Sequence, residues 1–293
     1  AMPSPFALAP SKTSHNRPVK IGEYQRLQVI GESEHGIYLG DGETKVLLPN
    51  NQCPDDLVMR DFIEVFVYTD SDDRPIATLD RPYAKVGEFA LLRCVGVSRP
   101  GAFLNWGLAK DLLCPMREQT YPMLEGEDYV VRVYLDQVTN RVACSTRLGR
   151  YLTNDGSSLE PGQKVRILVA DFTRDFIVVI INNTIKGSIF PDEWHERLEL
   201  GEERDAYVKR IRPGDSRVAI SLRPQGYEAV LSERDRIINA LRENGGSLPV
   251  SDKSSPEEIH KRFGLSKGAF KKLIGNLFRE GIIEIGNRDI RLK

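Results

Sequence analysis

The chain has 293 residues, of which 40% are hydrophobic and 28% charged, and its formal net charge at pH 7 is −1. This composition describes an ordinary globular protein with room for two or three domains, or more if they are small. No apolar run approaches the roughly 20 residues needed to cross a bilayer, which excludes a helical membrane protein. No signal peptide opens the chain, so we expect a cytoplasmic protein without a membrane partner.

Charge is segregated along the chain. Residues 21–80 hold 13 acidic and 4 basic side chains, whereas residues 81–150 and 228–293 each carry a net charge of +3. A polyanion is repelled by the first region and attracted by the other two. We therefore expect the first folded unit to contribute least to nucleic-acid binding, and we interpret it as a spacer or a protein-contact module.

Residues that support chemistry are dispersed. The four cysteines form no CxxC pair and have no histidine at ligand spacing, which predicts neither a zinc site nor a disulfide framework. The carboxylates and histidines form no cluster, and the chain has no P-loop and no dinucleotide-binding fingerprint. We therefore predict a protein without catalytic residues, metal or cofactor.

In chain order, a Pro- and Ser-rich arm, residues 1–20, precedes the first folded unit, residues 21–81. We expect the arm to be poorly ordered. Short apolar runs in the folded unit predict five strands, at 24–30, 37–39, 45–48, 62–68 and 75–79. Asp41-Gly42 is a two-residue hairpin signal, and the Asp70–Asp73 stretch forms an acidic tip. Five short strands with a polar loop between the third and fourth are typical of a small closed barrel.

Residues 82–150 repeat this order, with the sequence Gly101-Ala102-Phe103-Leu104 at the start of the second strand. Alternation along that strand turns Ala102, Leu104 and Trp106 toward the core. Phe103 then lies on the outer face, where its ring is available to a ligand. The basic residue of the last hairpin is Arg141.

Residues 151–226 form a third copy, with strands predicted at 165–172, 176–181, 185–190, 206–211 and 218–222. Three phenylalanines lie at strand ends or beside turns: Phe172, Phe176 and Phe190. Four cations bracket the last hairpin: Lys209, Arg210, Arg212 and Arg217. Bases stack on exposed rings at roughly 1–3 kcal/mol each and cations hold phosphates, so this copy suits a single-stranded nucleic acid. The alternative is that the phenylalanines belong to the barrel core.

The Gly101-Ala102-Phe103-Leu104 turn and the hairpin Asp136…Arg141-Val142-Ala143-Cys144-Ser145 resemble the RNA-binding domain named after ribosomal protein S1, an OB-fold barrel. In that family the Phe of this turn stacks on RNA. An aromatic just before it, an aromatic or His at the end of the third strand and the Arg of the last hairpin take part.

The resemblance implies RNA contacts by Phe103 and Arg141 in the second copy, where Pro100 and Cys114 stand at the other two positions. It implies the fullest site in the third copy, at Phe172, Phe176, Phe190 and Arg217. The first copy matches only at Tyr38 and Arg74.

Residues 227–293 change to helical periodicity. Ser232 is expected to cap a first helix over 233–243. Ser255 and Ser266 then cap helices over 256–263 and 267–279, and a hairpin of 282–285 with 290–292 follows. Three helices and a two-stranded ribbon are a winged helix.

The third helix of this domain presents polar residues that could contact nucleic acid: Lys267, Lys271, Lys272, Asn276 and Arg279. A basic face on a short helix is also a common solvated surface, and winged helices serve as protein-contact modules as well. Direct nucleic-acid contact and protein contact therefore both stay open for this domain.

As a whole, the chain resembles the conserved virulence factor B family over nearly all of residues 21–293, most specifically at 105–113 (NWGLAKDLL), 131–136 (VRVYLD) and 266–272 (SKGAFKK). The expected fold is mainly β with a C-terminal α+β domain: three tandem five-stranded OB-fold barrels of the S1 type and a winged helix. The resemblance implies a bacterial RNA-binding protein acting on gene expression, including virulence.

We expect low-specificity binding of single-stranded RNA by a monomer. Two alternatives come from other classes of protein. One is a DNA-binding regulator that uses the third helix of the winged helix. The other is a scaffold that docks on the ribosome or RNA polymerase through the acidic first barrel.

Overall fold

The computed structural model describes residues 18–40, 43–194, 196–224 and 226–293. Most of the expected N-terminal arm and the Asp41-Gly42 hairpin signal lie outside these ranges. The chain separates into two compact units, with the boundary between Leu152 and Thr153. The first unit holds two barrels, and the second holds a third barrel and the C-terminal domain.

Each barrel closes five strands in the order first, second, third, fifth, fourth. The first barrel comprises β1 (Glu23–Ser33), β2 (Gly36–Gly40), β3 (Lys45–Pro49), β4 (Phe62–Thr69) and β5 (Pro75–Thr78). The second comprises β6 (Phe89–Ser98), β7 (Gly101–Asn105), β8 (Leu112–Pro115), β9 (Asp128–Asp136) and β10 (Arg141–Ser145). The third comprises β11 (Lys164–Phe172), β12 (Ile177–Ile181), β13 (Ile185–Ile189), β14 (Glu203–Ile211) and β15 (Val218–Ser221). The predicted fold class is confirmed.

Two strands extend three residues beyond the apolar pattern at one end, β1 at its end and β14 at its start. A bulge between Val29 and Gly31 lets β1 pair with β4 over its first half and with β2 over its second, so the strand continues to Ser33. Strand β14 begins at Glu203, three residues early, because its charged start pairs with β11. Lys164 and Asp205 form a 2.8 Å ion pair across these strands, a contact that hydrophobic alternation does not reveal.

The first and second barrels share an apolar contact within the first unit. The rings of Phe66 and Tyr68 on β4 meet Trp106 edge-on, with centroids 5.8 and 6.4 Å away. Leu135 and Val142 of the second barrel pack in turn against the core of the first. Aromatic pairs of this geometry add about 0.5–1.5 kcal/mol each beyond the burial of their area.

The C-terminal domain consists of α1 (Gly226–Glu243), β16 (Ser247–Leu248), α2 (Pro256–Phe263), α3 (Lys267–Arg279), β17 (Ile283–Ile285) and β18 (Ile290–Leu292). The sheet order is β16-β18-β17. The third strand, β16, was not predicted, because two residues are too few to show a pattern. The domain is a winged helix, as expected.

The helix caps of this domain agree with the prediction in two cases out of three. The Oγ atoms of Ser255 and Ser266 each accept a 3.2 Å hydrogen bond from the backbone N–H three residues later. Ser232 was wrongly predicted to cap the first helix, since α1 begins at Gly226 and runs through it. Glu228, Ala229 and Leu231 are good helix formers, and one interior serine costs well under 1 kcal/mol, so the helix continues across it.

Candidate nucleic-acid interface

Three aromatic rings lie at one end of the β12–β13 hairpin or beside it, outside the core of the third barrel. Phe172 ends β11 and is 47% exposed. Phe176 is held in a tight turn by Thr173, whose Oγ1 accepts a 3.1 Å hydrogen bond from its N–H. Phe190 directly follows β13, and its ring centroid is 6.0 Å from that of Phe176. The buried core cluster of this barrel contains none of the three, which argues against the core alternative.

A fourth ring was missed by the sequence analysis. Trp194 follows a short 3₁₀ turn, Pro191–Glu193, directly after Phe190, and it is 42% exposed. Its Nε1 donates a 3.3 Å hydrogen bond to the carbonyl of Ile189, which holds the indole beside the end of β13. The signal was available in the sequence, because a tryptophan in a polar loop has few apolar neighbours to bury it.

The predicted cations of the third barrel are mostly held by carboxylates. Lys209 lies 2.7 Å from Glu193 and also bonds Asp192. Hydrogen bonds to Asp192 and then Glu193 raise the pKa of Lys209 above its usual value. Arg210 is exposed and forms no ion pair within the part of the chain that the structure describes. Among the four predicted cations, a phosphate therefore meets one without an ion pair in the described ranges, Arg210, and three that are already paired.

Arg212 and Arg217 share one carboxylate. Arg212 Nε donates a 2.8 Å hydrogen bond to Asp215, and Arg217 Nε lies 3.3 Å from the same side chain. The hydrogen bond from Arg212 is the main cause that holds the pKa of Asp215 well below its usual range. The carboxylate is therefore ionised at any physiological pH and competes with phosphate for both arginines.

Strand pairing allows the three barrels to be compared residue by residue. In each barrel the third and fifth strands pair in parallel, and the equivalent residue pairs are Leu47 with Ile76, Leu113 with Ala143, and Ser188 with Ala219. Counting two residues back along the fifth strands places three arginines at one equivalent position: Arg74, Arg141 and Arg217. All three barrels thus carry the hairpin arginine, including the first, where the motif match was weakest.

The ring positions differ between barrels. Tyr38, Phe103 and Val178 are equivalent, since they pair with Gly31, Gly96 and Asp171 across the same bulge. Phe176 is equivalent to Gly101, two residues earlier on the same face of the strand. Phe176 of the third barrel therefore lies on the same face as Phe103 of the second barrel, but two residues earlier along the strand.

Two assignments in the second barrel are corrected by this register. Cys114 pairs with Ala102 and is fully buried, so it does not stand at the surface position expected for a third-strand histidine. Pro115 is the residue equivalent to Phe190. Val97, which is 50% exposed, takes the position of Phe172 in place of Pro100. A one-residue slip in a strand exchanges its two faces, which is why motif matching alone misplaced Cys114.

The second and first barrels each retain one ring and one arginine. Phe103 is half-buried on the outer face of β7, with Ala102 and Leu104 fully buried as predicted. Arg141 is ion-paired with Asp73 of the first barrel. In the first barrel, Lys45 Nζ lies 4.5 Å from the centre of the Tyr38 ring, and Arg74 bonds its own hairpin's Asp70.

The winged helix brings its predicted polar residues to one helix, α3. Lys271, Lys272 and Arg279 are exposed there, whereas Lys267 and Asn276 are half-buried. Arg279 hydrogen-bonds Asn276, which ties two of the five together. The helix also carries two interior glycines, Gly268 and Gly275, and a Cβ at either would meet nothing within 4 Å. The solvent side of α3 therefore combines exposed cations and the exposed ring of Phe278 with two open glycine positions.

The described ranges lack two kinds of feature. No group of three or more His, Cys, Asp or Glu residues there is arranged to hold a metal ion. None of the helices in those ranges combines the length and the apolar character needed to cross a membrane.

Three barrels of this topology followed by a winged helix define a protein built from nucleic-acid-binding modules. Residues 21–80 match the S1 domain family, and residues 235–292 match the CvfB-like winged helix domain family. The chain is 30% identical over 271 residues to protein YitL of Bacillus subtilis, covering 89% of each chain. It is 26% identical over 285 residues to conserved virulence factor B of Staphylococcus saprophyticus, covering 93% of this chain and 94% of the relative. The chain belongs to the conserved virulence factor B family.

A solved structure also resembles the chain. It is a crystal structure of a multidomain protein with nucleic-acid-binding domains from Streptococcus pneumoniae, 23% identical in sequence. The match covers 93% of this chain and 98% of that one, with a TM-score of 0.39.

Proposed function

We propose that the protein binds single-stranded RNA with low sequence specificity and that the third barrel is its main platform. The observation that carries this proposal is the group of four partly exposed rings at that barrel's surface, Phe172, Phe176, Phe190 and Trp194. Every base has a π-face, so stacking on such rings tolerates any sequence and contributes about 1–3 kcal/mol per base.

The other modules extend this platform. Phe103 of the second barrel supplies a further ring, and the exposed cations of α3 provide a continuation of the phosphate path. Weak modules on one chain bind a common strand with raised avidity, because the second contact is made at high effective concentration. We place this binding, without catalysis, in the regulation of bacterial gene expression, in keeping with the name conserved virulence factor B that relatives carry.

A second candidate function is DNA binding by the winged helix. The observation that favours it is the solvent side of α3, where Lys272 lies between two glycines that leave the backbone accessible. The ammonium group of Lys272 could then reach a phosphate of the duplex without a clash from either glycine position. Preference for duplex DNA over single strands would support this candidate.

The test is a fluorescence-anisotropy titration of a short poly-U RNA and of a duplex DNA at two salt concentrations. We expect RNA to bind more tightly than the duplex, with affinity falling as salt rises. The double variant Phe176→Ala/Phe190→Ala should lose at least about tenfold in RNA affinity, because two stacking surfaces are removed.

The matched control is Tyr121→Ala, which removes a ring that is 79% exposed on the β8–β9 connection of the second barrel. It should bind RNA like the wild type. Equal losses in both variants would show that the rings of the third barrel have no special role. Tighter binding of the duplex would favour the winged-helix candidate.

A further inference from the structure

The acidic tip of the first barrel contacts Arg141 of the second barrel. This tip, Asp70–Asp73, connects β4 to β5. The Asp73 carboxylate forms an ion pair with Arg141, and it lies 3.5 Å from Lys110 Nζ. Lys110 Nζ also donates a 2.6 Å hydrogen bond to the backbone carbonyl of Asp70. Two cations of the second barrel are thus occupied by one turn of the first.

The tip is built to hold this position. Asp70 Oδ1 accepts 2.9 Å hydrogen bonds from the backbone N–H groups of Asp72 and Arg74, which fixes the turn. Asp73 adopts a left-handed backbone conformation with φ of 62°, as aspartate and asparagine readily do. The strand that leads into the tip is anchored by Tyr68 against Trp106. The carboxylate is therefore preorganised for its cationic partners.

Comparison of the three equivalent arginines shows that this contact is particular to the second barrel. Arg74 and Arg217 each pair with an aspartate of their own hairpin, Asp70 and Asp215. In the second barrel the hairpin aspartate, Asp136, instead lies 3.5 Å from Arg117. The partner of Arg141 comes from the first barrel.

We propose that the acidic tip is a built-in competitor that occupies the phosphate-binding cations of the second barrel and restricts RNA there until it is displaced. The proposal rests on the proposed RNA binding and adds its regulation. A carboxylate and a phosphate diester bind a guanidinium through the same charge-assisted hydrogen bonds, so they exclude each other at Arg141. The intramolecular carboxylate is present at high effective concentration, which weakens RNA binding without any covalent change.

The experiment compares Asp73→Asn with Asp72→Asn in the full chain. Asparagine suits the left-handed conformation at 73 and removes only the charge. Asp72→Asn is the matched control, because it changes the net charge by the same amount. The Asp72 carboxylate pairs with Arg74 of its own barrel at 2.9 Å and not with a cation of the second barrel. Both variants are titrated with short poly-U RNA and with inorganic polyphosphate.

We expect Asp73→Asn to bind RNA about threefold to tenfold more tightly than Asp72→Asn, with the log–log salt slope steeper by about 0.7 for each cation released. Adding Arg141→Gln to Asp73→Asn should remove the gain, because the freed guanidinium is then absent. Equal affinities for Asp73→Asn and Asp72→Asn, or a gain that survives Arg141→Gln, would overturn the proposal.

Polyphosphate separates this proposal from the proposed function. Polyphosphate offers phosphates without bases. Tighter polyphosphate binding by Asp73→Asn than by the wild type therefore supports competition by the acidic tip even if the wild type fails to bind RNA. If the wild type binds RNA but Asp73→Asn binds polyphosphate no more tightly than the wild type, the proposed RNA binding stands and the proposed competition by the acidic tip is wrong.

Discussion

The rings of Phe176 and Phe190 lie with centroids 6.0 Å apart and planes tilted by 56°. They meet because Ile177 pairs with Ile189, which makes the residues just outside the hairpin cross-strand neighbours. Such ring pairs contribute about 0.5–1.5 kcal/mol beyond area burial, so each ring holds the other in place. A base that stacks here finds a surface already ordered, which lowers the entropic cost of binding.

The exposed tryptophan of the third barrel should report RNA binding directly. The chain has two tryptophans, Trp106 and Trp194. In a Trp106→Phe variant, Trp194 is the only indole, and stacked bases should quench its fluorescence as poly-U RNA is added. Inorganic polyphosphate serves as the control, because it binds cations without stacking. Quenching by both polyanions would indicate a change of charge near the indole and not stacking.

The shared carboxylate of the third barrel should limit RNA affinity. Asp215→Asn releases Arg212 and Arg217 while its amide oxygen can still accept from the backbone N–H of Arg217. We expect a gain in poly-U affinity of about threefold to tenfold, with a steeper salt dependence, measured by anisotropy.

The control for this change is Asp205→Asn, which removes the same charge from an ion pair with Lys164 on the outer face of β11 and β14. Its RNA affinity should rise less than that of Asp215→Asn. A similar rise in both variants would mean that net charge alone determines the affinity.

Two glycines of the winged helix should respond in opposite directions to alanine. Gly268 is inside α3 with open space around its Cβ position, so Gly268→Ala should stabilise the domain by about 0.5–1 kcal/mol. Gly264 ends α2 with φ of +68°, so Gly264→Ala should destabilise it by about 1 kcal/mol. Chemical denaturation followed by circular dichroism measures both. A loss of stability in Gly268→Ala would contradict the open surface of α3.

The two tryptophans should differ sharply in their contribution to stability. Trp106 is 2% exposed and touches Phe66 and Tyr68, so Trp106→Ala should cost about 3–5 kcal/mol. Trp194→Ala should change the free energy of unfolding by less than about 1 kcal/mol, since much of the indole is solvated. Thermal unfolding of both variants checks this. Comparable losses would show that Trp194 is a structural residue.

Much of the fold follows from local patterns, whereas the ionic partners do not. Alternation identifies the barrel strands because one face of each is buried, and it placed Phe103 outward beside the buried Leu104. The pairing of Asp73 with Arg141 spans 68 residues and depends on how two barrels pack, which no local pattern encodes. The short strand β16 was missed because two residues are too few to show a pattern, and the early start of α1 was missed because a serine that suits a helix cap can also stand inside a helix.

Closure of the three barrels affects how a chain of three similar domains folds without misassembly. Successive domains of one architecture are prone to misassembly, since a strand from one copy can join the unfinished sheet of its neighbour. In each barrel every strand has a partner on both sides, so a completed copy offers no vacant edge for such exchange. Each copy also completes itself from one contiguous stretch of chain, which favours orderly maturation as the polypeptide leaves the ribosome.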